Sequence, residues 1–143
     1  LPVESAPILY PGPGSTTVLT TYSGEHPDPT QTCGWQGQTV GLPLIVMQPT
    51  PPSRHLRAIL KGPTGTETST NRSLCVVDSN TYRSTDRLYG PTGKQILEAT
   101  NAVFLIPREP LTTGSYSVSV LQRGVPEITW TFKVKAPVTG LGH

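Results

Sequence analysis

Apolar and polar positions alternate most clearly over residues 101–135, NAVFLIPREPLTTGSYSVSVLQRGVPEITWTFKVK. Within residues 115–120, Tyr116, Val118 and Val120 fall on one side and serines on the other. After Gln122, Arg123 and Gly124, which read as a turn, Ile128, Trp130, Phe132 and Val134 repeat that pattern with Thr129, Thr131 and Lys133 facing water. A period of two is that of a strand with one buried face, so these segments predict an antiparallel hairpin. Residues 102–106 form a continuous apolar run closed by Pro107, which predicts a strand buried on both faces. Leu105, Tyr116, Val118, Trp130 and Phe132 are assigned to packing.

Upstream the pattern is shorter and interrupted by proline. Residues 1–14 carry four prolines and read as an extended lead-in without regular pairing, a linker or an edge segment. Residues 16–22 (TTVLTTY) are rich in β-branched side chains and predict a first strand, ended by the turn-prone run from Ser23 to Pro29. In 40–48, Leu42, Leu44 and Val46 share a face, and Pro43 confines this strand to an edge or a bulge. Leu56, Ala58 and Leu60 form the inward face of a central strand that ends at the turn Gly62-Pro63-Thr64-Gly65. Residues 66–77 are read as one further strand containing Cys75, residues 78–93 as polar and irregular, and residues 94–100 as one helical turn or a short strand. Gly-Pro-Thr-Gly recurs at 90–93 with unlike flanks, which is reused turn chemistry, with no helix expected after it.

Together these elements predict an all-β protein, an immunoglobulin-like antiparallel β-sandwich of about seven strands with little helix. The domain covers residues 15–138, with 1–14 as lead-in and 139–143 as a disordered tail. A chain of 143 residues suits one domain with a real core. Charged residues make up 14%, against roughly 25% in an average soluble chain, and Ser, Thr, Gly and Pro are abundant, as in extracellular β-proteins. Net charge is only +2, with eleven basic residues scattered among nine acids, so no basic stripe tracks phosphates and nucleic acid is not an expected partner. No apolar run approaches the roughly 20 residues of a membrane span.

Cys33 and Cys75 lack the C-x-x-C spacing of a zinc or redox site, and a disulfide between them is the natural reading, with two separate buried thiols as the alternative. Chemistry is harder to find. His26, His55 and His143 are isolated from one another, and no H-E-x-x-H or G-x-S-x-G occurs. Residues 78–89 fail the calcium-loop test, with Arg83 at the position of the turn glycine and Tyr89 at that of the bidentate glutamate. No metal, cofactor or catalytic residue is therefore assigned. Paired carboxylates that meet only in space remain the route to a hydrolase. Asn71-Arg72-Ser73 matches a glycosylation sequon.

The phrase NAVFLIPREPLTTGSYSVSV followed by ITWTFKV resembles the closing strands of a bacterial immunoglobulin-like domain that follows a CAP domain, of the cysteine-rich secretory and pathogenesis-related type, in secreted proteins. The opening YPGPGSTTVLTTYSGEHPDP is similar to that family's start, with Gly24, Glu25, Pro27, Asp28 and Pro29 matching its G-E-x-P-x-P turn. The resemblance implies a sandwich in which Tyr116 hydrogen-bonds back to the preceding turn. It also implies a monomeric, non-catalytic accessory or interaction domain of a secreted or cell-surface protein. Its partner would be another protein, a neighbouring domain of the same precursor, or a cell-wall polysaccharide. A carbohydrate-binding module using loop aromatics is the alternative, and contacts are to be sought in 24–37 and 78–93. The candidates are Glu25, His26, Asp28, Trp35, Tyr82 and Tyr89.

Overall fold

The computed structural model describes residues 6–23 and 28–137. Two sheets face each other. One runs β1 (Ile8–Tyr10), β5 (Leu44–Met47), β9 (Ala102–Pro107), β8 (Leu74–Val77), with every neighbouring pair antiparallel. The other runs β2 (Thr16–Thr17), β11 (Val125–Val134), β10 (Gly114–Gln122), β6 (Arg57–Gly62), β7 (Gly65–Thr68), antiparallel except where β2 runs parallel to β11. A third pairing joins β3 (Thr21–Tyr22) to β4 (Val40–Gly41). The chain is an all-β sandwich, as its patterning predicts, with a helix α1 (Gly90–Thr100) packed against β9.

The predicted hairpin is present in register, with Tyr116 opposite Phe132 and Val118 opposite Trp130. Gly124 closes it at φ 77, a left-handed conformation that costs glycine little. Tyr116 and Phe132 stack with ring centroids 5.3 Å apart. The inner faces of both sheets meet around them. Leu44, Val46, Val103 and Leu105 come from one sheet, and Ala58, Leu60, Val118, Val120 and Phe132 from the other, all essentially sealed from water. Each buried aliphatic or Phe side chain contributes about 1.5–3 kcal/mol relative to exposure. Gly62 is required beneath this stack, because a Cβ there would enter the Tyr116 ring. The Tyr116 hydroxyl accepts from Thr112 N at 2.8 Å, closing the turn ahead of β10.

The continuous apolar run of β9 has a specific cause. Val103 and Leu105 point into the intersheet core, whereas Ala102 and Ile106 join Val40, Val77, Tyr82 and Leu97 in a second cluster on the other side. β8 divides likewise, with Leu74 inward and Val77 outward. α1 and the loops therefore cover the outer face of the first sheet, so its central strand is buried twice over.

Several expectations need correction. Residues 8–10 pair with β5 instead of remaining an unpaired lead-in, and Trp130 Nε1 donates to Pro11 O at 2.8 Å. The strand expected over 16–22 is two short pieces on different partners. β5 lies inside its sheet, because Pro43 falls in the gap after β4 and removes no ladder bond from β5 itself. Residues 66–77 also divide, β7 in one sheet and β8 in the other, with the Asn71-Arg72 turn between them. The two main sheets hold nine strands among the described residues, more than the seven expected, because both edges add short pieces. The second Gly-Pro-Thr-Gly opens α1: proline is tolerated in the first turn, where its missing N–H has no intrahelical partner, and Asn101 ends the helix at φ 53. The tail expected at 139–143 lies outside the described residues.

At one end of the sandwich a buried amide pair joins the sheets. Gln48, just after β5, donates from Nε2 to Gln122 Oε1 at 3.2 Å, and Gln122 Nε2 returns a bond to Gln48 Oε1 at 2.8 Å. Ser53 N also donates to Gln122 Oε1, and Gln48 Nε2 to Thr50 O.

Cys33 and Cys75 are bonded, with sulfurs 2.03 Å apart. The bridge fixes the 28–38 loop to the outer face of the first sheet. In a loop-closure account, a link over about 40 residues stabilises by about 4 kcal/mol. Reduction, or Cys33→Ser/Cys75→Ser, is expected to lower the free energy of unfolding in urea by roughly that amount. An unchanged denaturation midpoint would show that the bridge is dispensable.

Candidate functional site

Two loops flank the disulfide, and both are built by side chains bonding to nearby backbone. Asp28 Oδ1 accepts from Thr30 N at 2.9 Å and Thr30 Oγ1 at 2.7 Å, capping a single 3-10 turn at Pro29–Gln31. Thr30 is 1% exposed, and its carbonyl accepts from both Cys33 N and Trp35 N. In the second loop Asp78 Oδ1 accepts from Asn80 N at 2.8 Å and Thr81 N at 3.1 Å. Burial pushes the Asp78 carboxyl up from its ordinary value, while those N–H bonds, the Thr81 hydroxyl and the charge of Lys94 pull it back.

The loops are zipped together. Gln31 donates to Thr85 Oγ1 at 2.6 Å and accepts from Thr85 N at 3.0 Å, while Thr32 Oγ1 donates to Arg83 O and accepts from Arg83 N. Beneath them Trp35 packs on the outer cluster beside both cysteines, and the Arg108 guanidinium stands 5.5 Å from its ring centroid.

A groove of about 530 Å3 opens where this covered face meets the end of the second sheet. Trp35 and the disulfide line one side, and Arg57, Ser69, Thr70 and Arg72 the other. Its volume lies within the roughly 300–1,000 Å3 of small-ligand sites. Arg72 sits at φ 67, in a turn where Asn71 Oδ1 accepts from Ser73 N and Ser73 Oγ. Among the described residues, no carboxylate lies within ion-pair reach of Arg57 or Arg72. A second groove of about 560 Å3 continues from the first through Leu56 and Arg57, and adds His55 and Arg123.

The sequence-derived candidates are separated by this arrangement. Trp35 lines the groove. Asp28 is engaged in capping. Tyr82 is 8% exposed and belongs to the outer cluster, so the expected loop contact is instead a core residue; its hydroxyl is buried without a hydrogen-bond partner among the described residues. Tyr89 is 45% exposed and immediately precedes α1, with no part in lining the groove. Glu25 and His26 lie outside the described residues. Sequence reasoning passed over Arg57, Arg72 and Arg123. Arg57 carried a usable signal, since it alternates with the inward Leu56 and Ala58 and so must face out, but its meeting with Arg72 depends on how the two sheets join.

Among the described residues, the paired-carboxylate alternative has a spatial counterpart. Glu67 and Glu109 both line a cavity of about 170 Å3 beside Tyr116. It is smaller than typical ligand sites. Glu109 also faces Arg108, at 3.9 Å.

No family model matches the chain, and no curated protein matches it. A solved structure with a similar backbone course is PcoC, a methionine-rich copper resistance protein from Escherichia coli. The two are 15% identical, with 89% of this chain and 93% of that chain covered, at a TM-score of 0.42. Among the described residues, no group of three or more His, Cys, Asp or Glu side chains is arranged to hold a metal, and no helix is long and apolar enough to cross a membrane. The disulfide points to an oxidising, extracytoplasmic compartment.

Glu67 yields a pH prediction. Burial, and then the charge of Glu109, raise its pKa in the folded protein above the unfolded value. The folded state therefore holds that proton more tightly, and stability falls as pH rises from the ordinary carboxylate range through the raised value. Glu67→Gln is expected to be more stable than wild type in urea at pH 7, with the difference shrinking below about pH 4. A variant destabilised equally at both pH values would contradict this electrostatic account.

Proposed function

We propose that this chain is a non-catalytic interaction domain of a secreted or cell-envelope protein, immunoglobulin-like in type. The strand order supports the type: four strands, β1-β5-β9-β8, face five, β2-β11-β10-β6-β7, and the first segment of the chain divides between the sheets. The Tyr116 hydroxyl bonding back to Thr112 N supports it as well, as does the resemblance of 101–120 and 128–134 to domains that follow CAP modules. One feature departs from antibody domains, in which the disulfide joins the two sheets. Here it joins a loop to the outer face of one.

The observation that carries the functional part is the lining of the 530 Å3 groove. Among the described residues it offers an indole, two exposed arginines and hydroxyls, but no His, Asp or Glu to act as a general acid or base. Such a lining supports recognition of a ligand. Among the described residues, Glu67 and Glu109 share a cavity elsewhere, whose volume of about 170 Å3 falls below the roughly 300–1,000 Å3 of small-ligand sites.

Incubating the domain with cell-wall polysaccharides, and mass analysis of the products, is expected to show retention on the envelope fraction and no new fragments. Release of fragments that stops in Glu67→Gln or Glu109→Gln would replace this reading with a hydrolase.

A further inference from the structure

We propose that the groove beside the disulfide binds an acidic glycan, a chain of sugars bearing uronic-acid carboxylates. This rests on the reading of the chain as an interaction domain and names the ligand of that same groove. Arg57 and Arg72 supply the first element. Both are exposed, both line the groove, and among the described residues neither is neutralised by a carboxylate. A guanidinium presents a planar fork of donors that matches a carboxylate in two parallel bonds.

Neutral sugar recognition is the second element. Trp35 lines the groove and, with Arg108 over its ring, lends it an aromatic wall against which a sugar can pack. Ser69 Oγ accepts from Ala58 N, which leaves its own proton for a ligand, and the exposed Thr70 adds a second hydroxyl. Length is the third. The neighbouring groove shares Leu56 and Arg57 and carries Arg123 and His55, so a cationic path extends past one sugar unit. Among the described residues, no Asp or Glu lines either groove.

A nucleic acid fits less well. Few cations line the path and net charge is only +2, whereas a phosphate backbone demands many contacts at close spacing. Nor does a neutral glycan account for two arginines that no acid of the described protein satisfies.

The test uses oligogalacturonate, its methyl ester and a single-stranded DNA oligomer of matched charge, each titrated calorimetrically into the oxidised domain. Oligogalacturonate is expected to bind, and to bind more weakly as salt rises. Arg57→Gln/Arg72→Gln is expected to weaken it about tenfold or more, while the control Lys133→Gln/Lys135→Gln leaves it unchanged. Both pairs are exposed, so thermal melts should show wild-type folding. In nitrogen-15 spectra the Trp35 indole signal should move on binding, and that of Trp130, buried on Pro11, should not. Equal binding of the methyl ester or of DNA, an unaffected arginine pair, or no binding of oligogalacturonate would overturn the glycan assignment and leave the interaction-domain reading standing. Cleavage of the bound oligomer would do the reverse.

Discussion

The bond between Cys33 and Cys75 is the constraint on which the outer half of this molecule depends. The first sheet is apolar on both faces, and a second layer must cover the outer one. What the chain offers for that purpose is one short helix and two polar loops, which bury little surface of their own. The bridge holds the first loop against β8, side chains zip the second to the first, and Tyr82 and Leu97 then seal the cluster. The groove exists because this added layer stops short of the second sheet, leaving a seam walled by the bridge.

Proline limits the ladders elsewhere. Sixteen prolines remove sixteen backbone donors, and the first half of the chain, where they cluster, pairs in strands of two to six residues. β10 and β11, at nine and ten residues, are longer than any of these and form the frame to which the short pieces attach. Gly14 N donates to Thr131 O, and Trp130 reaches Pro11, so the proline-rich segment is fastened to that frame by single bonds where a regular ladder is unavailable.

What could be read beforehand follows from this division. The hairpin was legible because each residue's neighbour at two positions lies on the same face, and β9 because only a strand covered twice tolerates five apolar residues in a row. Helix α1 was not, since Gly90, Pro91 and Gly93 carry turn propensity, and their use as a first helical turn is decided by Leu97 docking on the outer cluster. The pairing of Cys33 with Cys75 was readable from count and compartment, yet its place on an outer face was not. Tyr82 looked like a loop aromatic because its neighbours are polar; their side chains fasten the loop, Thr81 Oγ1 donating to Val76 O and accepting from Asp78 N, and Asn80 Nδ2 donating to Pro52 O, while Tyr82 joins the outer cluster. The arginine groove is a product of the seam, and periodicity within one strand carries no information about which strands end side by side.

The amide pair of Gln48 and Gln122 affects motion as much as architecture. Each carboxamide bonds to the other, one oxygen also holds Ser53 N, and one nitrogen also holds Thr50 O. Parting the sheets at that end strands several buried polar groups at once, so the cost of a small opening is nearly that of a large one. Breathing of the two layers is thereby coupled. The Ser53 amide proton, though it sits in a proline-rich connection that looks loose, should exchange with solvent at the pace of the whole domain and not of its own loop.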